Sequence, residues 1–129
     1  MATVPDIQIK RIYEAPAAAD GYRVLIDRLW PRGVSRRRAA LDAWLRELAP
    51  SDALRTWYRH DPARWPQFRR RYRAQLRLQG AALEALRQRA RHGPVTLLTA
   101  TREARINHAV VLRAVLTPPR PRARRSSKA

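Results

Sequence analysis

The amino-acid sequence predicts a small single α/β domain, with about three mainly parallel strands covered by four to five helices. Short apolar runs rich in β-branched residues predict the strands, and apolar residues at helical spacing predict the helices. The predicted order of elements is β-β-α-α-α-α-β-α. A chain of 129 residues has room for one hydrophobic core. We therefore expect the domain to occupy residues 1–116 and a disordered, Arg/Pro-rich basic tail to occupy residues 117–129.

Three segments have the composition of strands. Residues 7–13 begin with alternating apolar and polar residues. Residues 22–27 contain the run Val24-Leu25-Ile26 and follow an Asp-Gly turn signal. Residues 95–100 are nearly continuous in apolar residues, which is typical of a strand buried on both faces. We therefore expect the third segment to be the central strand.

Capping residues predict two short helical turns between the second and third strands. Ser35 can cap a turn at residues 36–38, and Ser51 can cap another that includes Trp57. Between these turns, apolar residues recur at helical spacing over residues 41–48, which predicts a short amphipathic helix.

Longer helices are predicted in the second half of the chain. Asp61 followed by Pro62 marks a helix start, Gly80 is expected to end that helix, and Thr101 is expected to cap the last one. The predicted buried positions are Trp65, Phe68, Tyr72 and Leu76, then Leu83, Leu86 and Ala90, and finally Ile106, Ala109, Val110, Val111, Leu112 and Leu116.

The net charge of +18 is strongly basic. Lysine occurs only at positions 10 and 128, and a GC-rich coding sequence would itself produce this excess of arginine. Five of the positive charges follow Thr117, so the rest of the chain retains a net charge of +13. This charge makes nucleic acid one predicted partner, bound through the tail and the arginine-rich helix face. That face consists of Arg69, Arg70, Arg71 and Arg73.

Several kinds of chemistry lack the residues that they need. There is no cysteine, and the histidines at 60, 92 and 108 share no metal-ligand spacing. The glycines at 21, 33, 80 and 93 lie too far apart for a phosphate-binding loop. No Gly-x-Ser-x-Gly motif is present. We therefore predict no metal and no cofactor.

No apolar run approaches the roughly 18 residues of a membrane span. The first residues also lack the hydrophobic region of a secretory signal. We expect a cytoplasmic protein that does not bind membranes.

Residues 20–33 form the best candidate for a functional segment. They read Asp-Gly-Tyr-Arg-Val-Leu-Ile-Asp-Arg-Leu-Trp-Pro-Arg-Gly. Charges at the end of a buried strand must be paired or directed at a ligand, because desolvating them alone is costly. In the functional interpretation, Arg28 and Arg32 bind an anion and Asp27 orients one of them or acts as a base. Tyr22 and Trp30 are the aromatic candidates for ligand contact. In the alternative interpretation, Asp27 pairs with one of these arginines only to tie the strand to its loop.

A second candidate is the pair Asn107-His108 in the last predicted helix. His108 could act as a general base, or both residues could bind a phosphate near the helix dipole. The alternative is a capping or core-facing polar pair. His60 is better explained by the helix start that follows it.

The chain resembles the YeaO-like family of bacterial proteins, a domain of unknown function. The likeness covers about residues 7–116, and its most specific motif is residues 20–33. Further matching segments are Lys10-Arg11-Ile12-Tyr13, Leu41-Asp42-Ala43-Trp44, Ala49-Pro50-Ser51, Leu54-Arg55, His60-Asp61-Pro62-Ala63-Arg64-Trp65, Phe68-Arg69-Arg70-Arg71-Tyr72, Val95-Thr96-Leu97-Leu98 and Asn107-His108-Ala109-Val110-Val111-Leu112. The resemblance implies a fold but no activity, because the family has no established one.

Three positions depart from the pattern of that family. Thr99 stands where the family usually has Tyr, Glu103 where Asp is more usual, and Ile106 where His is often found. If the family uses that Tyr or His in a pocket, this chain has lost it.

These observations predict an anion-binding cleft. We expect the catalytic candidates Asp27 and His108 to lie there with the ligand-binding candidates Tyr22, Arg28, Trp30, Arg32 and Asn107. The first hypothesis is an enzyme or sensor for a small phosphorylated or nucleotide-like ligand. The second is a nucleic-acid-associated module, and the third is an interaction protein in which residues 20–33 are purely structural. A role in catalysis is left open.

Overall fold

A computed structural model describes residues 6–117 and contains a four-stranded parallel sheet. Its strands are β1 (Ile7–Arg11), β2 (Tyr22–Leu25), β3 (Ala43–Trp44) and β4 (Val95–Thr99). Their order across the sheet is β1-β4-β2-β3, and every neighbouring pair is parallel. This confirms the predicted α/β class, with β4 between β1 and β2 and the short β3 as an additional edge strand.

Residues 6–117 also form five α-helices. They are α1 (Arg36–Ala39), α2 (Asp52–Tyr58), α3 (Trp65–Leu76), α4 (Gly80–His92) and α5 (His108–Leu116). A 3-10 turn separates α3 from α4, so Gly80 begins α4.

Capping hydrogen bonds fix where the short helices begin. The hydroxyl of Ser35 accepts from the amide of Arg38, and that of Ser51 accepts from the amide of Leu54. Both predicted caps are therefore present. Asp61 also acts as a cap, but it begins a 3-10 turn at Pro62–Arg64 that leads into α3.

The main core lies between one face of the sheet and the helices α2 to α5. Val24 of β2 and Leu97 of β4, which pair in register, contribute to it. Of the apolar positions predicted from helical spacing, most are buried, whereas Trp65, Ile106 and Val110 are half-buried. The buried ones are Phe68, Tyr72, Leu76, Leu83, Leu86, Ala90, Ala109, Val111, Leu112 and Leu116.

A smaller core covers the other face of the sheet. Leu25 and Leu98, each one residue further along its strand, point into it. The segment after β2 supplies the cover, with Trp30 and Trp44 in an edge-to-face contact at 5.3 Å. Burial on both faces explains why β4 has no exposed residue.

The prediction of a helix at residues 41–48 is wrong, because part of this segment forms a strand that extends the sheet. Ala40 has a left-handed backbone (φ 48°), and β3 then pairs with β2. The amide of Asp42 donates to the carbonyl of Arg23, and the amide of Leu45 donates to that of Leu25. The open edge of β2 thus gives these residues hydrogen bonds that outweigh their helical spacing. A 3-10 turn at Arg46–Leu48 follows.

The prediction that Thr101 caps the last helix is wrong, because this helix begins later in the chain. The helix α5 starts at His108, and the side chain of Asn107 accepts from the amide of Val110. The segment between β4 and α5 therefore crosses the edge of the sheet without regular structure.

The first half of residues 20–33 is held by a buried ion cluster. Asp20 accepts hydrogen bonds from Lys10 at 2.9 Å, from the guanidinium of Arg23 and from the amide of Ala17. Arg23 also donates to the carbonyls of Ala39 and Ala40. Burial alone would raise the pKa of Asp20, but these donors and cations hold it below its ordinary value. The cluster fixes β2 against β1 and the end of α1.

Two further predictions concern the carboxyl-terminal tail and membrane-spanning helices. The tail predicted at residues 117–129 lies outside the described residues, except for Thr117. Among the helices of residues 6–117, none is long and apolar enough to cross a membrane.

Candidate functional site

A cleft of about 290 Å³ opens at the carboxyl ends of β2 and β4. This is the edge of a parallel sheet at which ligands usually bind. The turns after β2 and β4, the start of α5, and side chains of α2 and α3 form its walls. Its lining consists of Asp27, Arg28, Ala49, Pro50, Arg55, Tyr58, His60, Phe68, Thr99, Ala100, Thr101, Asn107 and His108.

The Asp27 carboxylate is held by three donors. Its Oδ1 accepts from the Thr99 hydroxyl at 2.7 Å, and its Oδ2 accepts from the Ala100 amide at 2.8 Å. The Nε2 atom of His108 lies 3.0 Å from Oδ1. These contacts join the ends of the two strands to the first residue of α5.

The same contacts set the ionisation of Asp27. Burial raises the pKa of this carboxyl, but the hydrogen bond and positive charge of His108 oppose that effect. With the amide of Ala100 and the hydroxyl of Thr99, they hold the pKa of Asp27 below its ordinary value. Asp27 is therefore a carboxylate at neutral pH, which suits an orienting group better than a general acid.

The imidazole of His108 has a defined tautomer. Its Nε2 lies 3.1 Å from the carbonyl oxygen of Ile26 as well as next to Asp27. Both neighbours are acceptors, so Nε2 carries the proton. The other ring nitrogen, Nδ1, makes no hydrogen bond within residues 6–117.

Arg28 and Arg55 supply positive charge at the mouth of the cleft. The Nε atom of Arg28 donates to the carbonyl of Pro50 at 3.3 Å and lies 3.7 Å from Asp52. Arg55 contacts the same carboxylate at 3.2 Å. Asp52 is 69% exposed, and exposed pairs of this kind contribute about 0–1 kcal/mol. Arg28 and Arg55 therefore share one exposed carboxylate as an ion-pair partner.

Aromatic side chains close the inner wall. Tyr58 stacks on Phe68 with ring centroids 4.3 Å apart, and its hydroxyl donates to the carbonyl of Ile106 at 2.9 Å. Burial raises the pKa of the Tyr58 hydroxyl, and the charges of Glu103 and Asp61 add to that effect. Tyr58 therefore remains a neutral donor that ties the segment before α5 to α2.

Four of the seven predicted site residues line this cleft, and three lie elsewhere. Asp27, Arg28, Asn107 and His108 come together in the lining. The three outside it are Tyr22, Trp30 and Arg32.

Tyr22, Trp30 and Arg32 lie outside the cleft for different physical reasons. Tyr22 begins β2, so it lies at the amino end of the sheet, where the guanidinium of Arg89 covers its ring at 4.1 Å. The indole of Trp30 donates to the carbonyl of Val34 and packs in the smaller core. Arg32 is exposed on the loop that follows. The structural alternative also needs correction, since neither Arg28 nor Arg32 pairs with Asp27 within residues 6–117.

Sequence reasoning missed four important lining residues: Arg55, Tyr58, His60 and Thr99. Arg55 and Tyr58 lie on α2, which the sequence predicted only as a brief turn. His60 was assigned to a helix start, and it has a left-handed backbone (φ 56°) next to the cleft. The sequence did single out position 99, because Thr99 stands where the YeaO-like family usually has Tyr.

Of the two surfaces predicted to bind nucleic acid, the arginine-rich face lies on α3, and the tail lies outside the described residues except for Thr117. The arginines at 69, 70, 71 and 73 are all exposed on α3. The guanidinium of Arg71 lies 4.5 Å from the ring centroid of Trp57, and that of Arg64 lies at 5.2 Å. Arg36 covers Trp30 in the same way. These rings are therefore not open platforms for base stacking.

Metal binding has no support in the described part of the chain. Within residues 6–117, no three His, Cys, Asp or Glu side chains lie close enough together to hold a metal ion.

The chain belongs to the family described as the inactive DUF488-N3 subclade, which matches residues 6–128. This finding and the relatives below confirm the expected YeaO-like family.

Relatives in two bacterial groups cover nearly the whole domain. The uncharacterised protein Rv3073c of Mycobacterium tuberculosis is 40% identical over 110 residues, which are 85% of this chain and 92% of that protein. The uncharacterised protein YeaO of Escherichia coli is 39% identical over 107 residues, which are 83% and 93% of the two chains. No solved structure matches the chain significantly.

Proposed function

We propose that the chain binds a small phosphorylated or nucleotide-like ligand in this cleft and does not transform it. The observation that carries the proposal is the balance of charge in the lining. Among the described lining residues, the carboxylate of Asp27 already accepts from Thr99, Ala100 and His108. Within residues 6–117, Arg28 and Arg55 have the exposed Asp52 as their common ion-pair partner. A concave site with excess guanidinium groups favours a phosphate.

The rest of the lining suits the organic part of such a ligand. Ala49, Pro50 and Phe68 add apolar surface to the lining. Ligand sites commonly combine such a surface with a few convergent polar groups. A sugar or base would lie against this surface while its phosphate contacts the two arginines.

No lining hydroxyl within residues 6–117 is activated by a base, which favours binding over catalysis. The hydroxyl of Thr99 donates to Asp27, that of Tyr58 donates to Ile106, and that of Thr101 is buried without a hydrogen-bond partner in the described chain. The Asp27–His108 pair resembles the orienting part of a catalytic triad, but no nucleophile hydrogen-bonds to the imidazole within residues 6–117. The description of the family as inactive agrees with this interpretation.

The nucleic-acid alternative has weaker support. The α3 arginines and the positive charge of the chain would attract any polyanion. However, the arginines over Trp30 and Trp57 occupy the faces on which bases would stack. Salt-sensitive, sequence-independent binding is all that these observations support.

Thermal melting of the full chain against a panel of nucleotides, sugar phosphates and short oligonucleotides tests the proposal. A ligand that binds only the native state raises the melting temperature by mass action. We expect small phosphorylated compounds to raise it for the parent and for Arg69→Ala, which removes a charge outside the cleft. Arg55→Ala should abolish the rise. A rise with oligonucleotides alone, equally reduced by both substitutions, would support the nucleic-acid alternative.

A further inference from the structure

Two further cavities lie beside the cleft, along the segment between β4 and α5. A cavity of about 400 Å³ is lined by His60, Thr101, Arg102 and Glu103. Another, of about 350 Å³, lies between this segment and β1, and we call it the β1-side cavity. Thr101 lines all three, and Thr99 and Asn107 line both the cleft and the β1-side cavity. The three cavities therefore adjoin one another.

The β1-side cavity has its own uncommitted positive charge. Arg102 and Arg113 line it, and within residues 6–117 neither forms an ion pair. The other two basic lining residues are engaged, since Lys10 bonds to Asp20 and Arg11 donates to the carbonyl of Thr101. Arg102 and Arg113 are therefore the groups that could bind a second anion.

The two acidic residues of this cavity are engaged by the backbone. A carboxylate oxygen of Glu14 accepts from the amide of Arg11 at 2.9 Å. A carboxylate oxygen of Glu103 accepts from the amide of Arg105 at 3.1 Å. Neither neutralises Arg102 or Arg113 by direct contact, so the cavity keeps a positive excess.

Thr101, which lines all three cavities, has one unsatisfied polar atom. The Oγ1 atom of Thr101 is buried and has no hydrogen-bond partner in the described chain. The backbone of Thr101 is satisfied, because its amide donates to Thr99 and its carbonyl accepts from Arg11. A buried polar atom without a partner is unusual in a native protein and calls for an explanation, such as a ligand that supplies the missing hydrogen bond.

We propose that the ligand carries two separate phosphate groups and spans both cavities. Arg28 and Arg55 hold the first phosphate in the cleft, and Arg102 and Arg113 hold the second in the β1-side cavity. The Thr101 hydroxyl bonds to the part between them. This inference rests on the proposed function, which it narrows to bisphosphorylated sugars or nucleotides. Two linked anions that each meet a basic site bind far more tightly than either one alone.

Isothermal titration calorimetry with matched probes tests this. Adenosine 5′-monophosphate is compared with adenosine 3′,5′-bisphosphate, and fructose 6-phosphate with fructose 1,6-bisphosphate. We expect at least one bisphosphate to bind the full chain at least tenfold more tightly than its monophosphate. Arg102→Ala and Arg113→Ala should each remove most of this gain. Arg69→Ala controls for the general loss of one positive charge.

The possible outcomes separate the two proposals. If monophosphates bind in the cleft but no bisphosphate gains affinity, or if the gain survives both substitutions, the two-phosphate inference is wrong and the proposed function stands. If none of the four probes binds, both are wrong. A gain lost equally in Arg69→Ala would reflect overall charge and would also overturn the inference.

Discussion

The Nε2 atom of His108 lies 3.0 Å from Oδ1 of Asp27 and joins the first residue of α5 to the turn after β2. The side chains are only 14% and 15% exposed. The contact engages the Asp27 carboxylate, which lines the cleft, at the start of α5. It therefore serves both the stability of the fold and the charge of the site.

The substitution Asp27→Asn should lower the free energy of unfolding by about 2 kcal/mol, because it leaves buried donors without an acceptor. An amide cannot accept from Thr99, Ala100 and His108 as the carboxylate does. Denaturation in urea measures the change. Asp52→Asn is the control, since its exposed pairs predict a change within about 0.5 kcal/mol. Equal effects of the two substitutions would contradict the role of Asp27.

The stability that Asp27 provides should disappear in acid. Its pKa is lowered by folding, so this stability is fully present above the unfolded value of about 3.9. It is lost as the pH falls through the lower folded value. Parent and Asp27→Asn should therefore converge in free energy of unfolding below about pH 4. Both carry the similarly lowered pKa of Asp20, which cancels in the difference. A difference that is constant from pH 6 to pH 2 would argue against the assignment.

Asp20→Asn should lower the free energy of unfolding by about 3–5 kcal/mol, which is more than Asp27→Asn, because it leaves Arg23 as an uncompensated buried charge. Lys10 would lose its partner as well. The urea midpoint reports the loss, and ligand-induced shifts in melting temperature should persist wherever the variant is folded. A cost below about 1 kcal/mol would mean that the cluster is not structural.

Gly21→Ala should destabilise the protein far more than Gly33→Ala. Both glycines have a positive φ, of 64° and 77°, and strain of this kind costs about 1–3 kcal/mol. At Gly21, an added Cβ would also lie 2.2 Å from the carbonyl oxygen of Pro94, whereas nothing lies within 4 Å at Gly33. That carbonyl accepts from the amide of Tyr22, so the clash would disturb the start of β2. Similar melting temperatures for the two variants would refute the close approach.

The strands and long helices were predictable because local pattern and tertiary burial agree there. The strand Val95–Thr99 contains Val95, Leu97 and Leu98 and is buried on both faces. The stripe Phe68, Tyr72 and Leu76 is buried in the core. Residues 41–48 show the opposite case. Their helical spacing is real, but the open edge of β2 offered hydrogen bonds that no local pattern could reveal.

The site was predictable only where its residues follow the ends of strands or begin a helix. Asp27, Arg28, Asn107 and His108 meet because β2, β4 and the start of α5 share one edge of the sheet. Arg55 and His60 come from α2 and the turn after it, and only packing brings them to that edge. Trp30 and Arg32 were expected beside Asp27, but the chain turns away after Arg28 to cover the other face of the sheet.

Under the proposed function, the cleft binds a small phosphorylated ligand through Arg28 and Arg55. Isothermal titration calorimetry of adenosine 5′-monophosphate and fructose 6-phosphate with the full chain tests this binding. The double variants Arg28→Ala/Arg55→Ala and Arg69→Ala/Arg73→Ala, which remove equal charge, are titrated in parallel. We expect saturable binding with one ligand per chain for the parent and for the α3 variant, and a loss of at least tenfold in affinity for the cleft variant. No saturable binding of either compound to the parent, or equal losses in both variants, would contradict the proposed function.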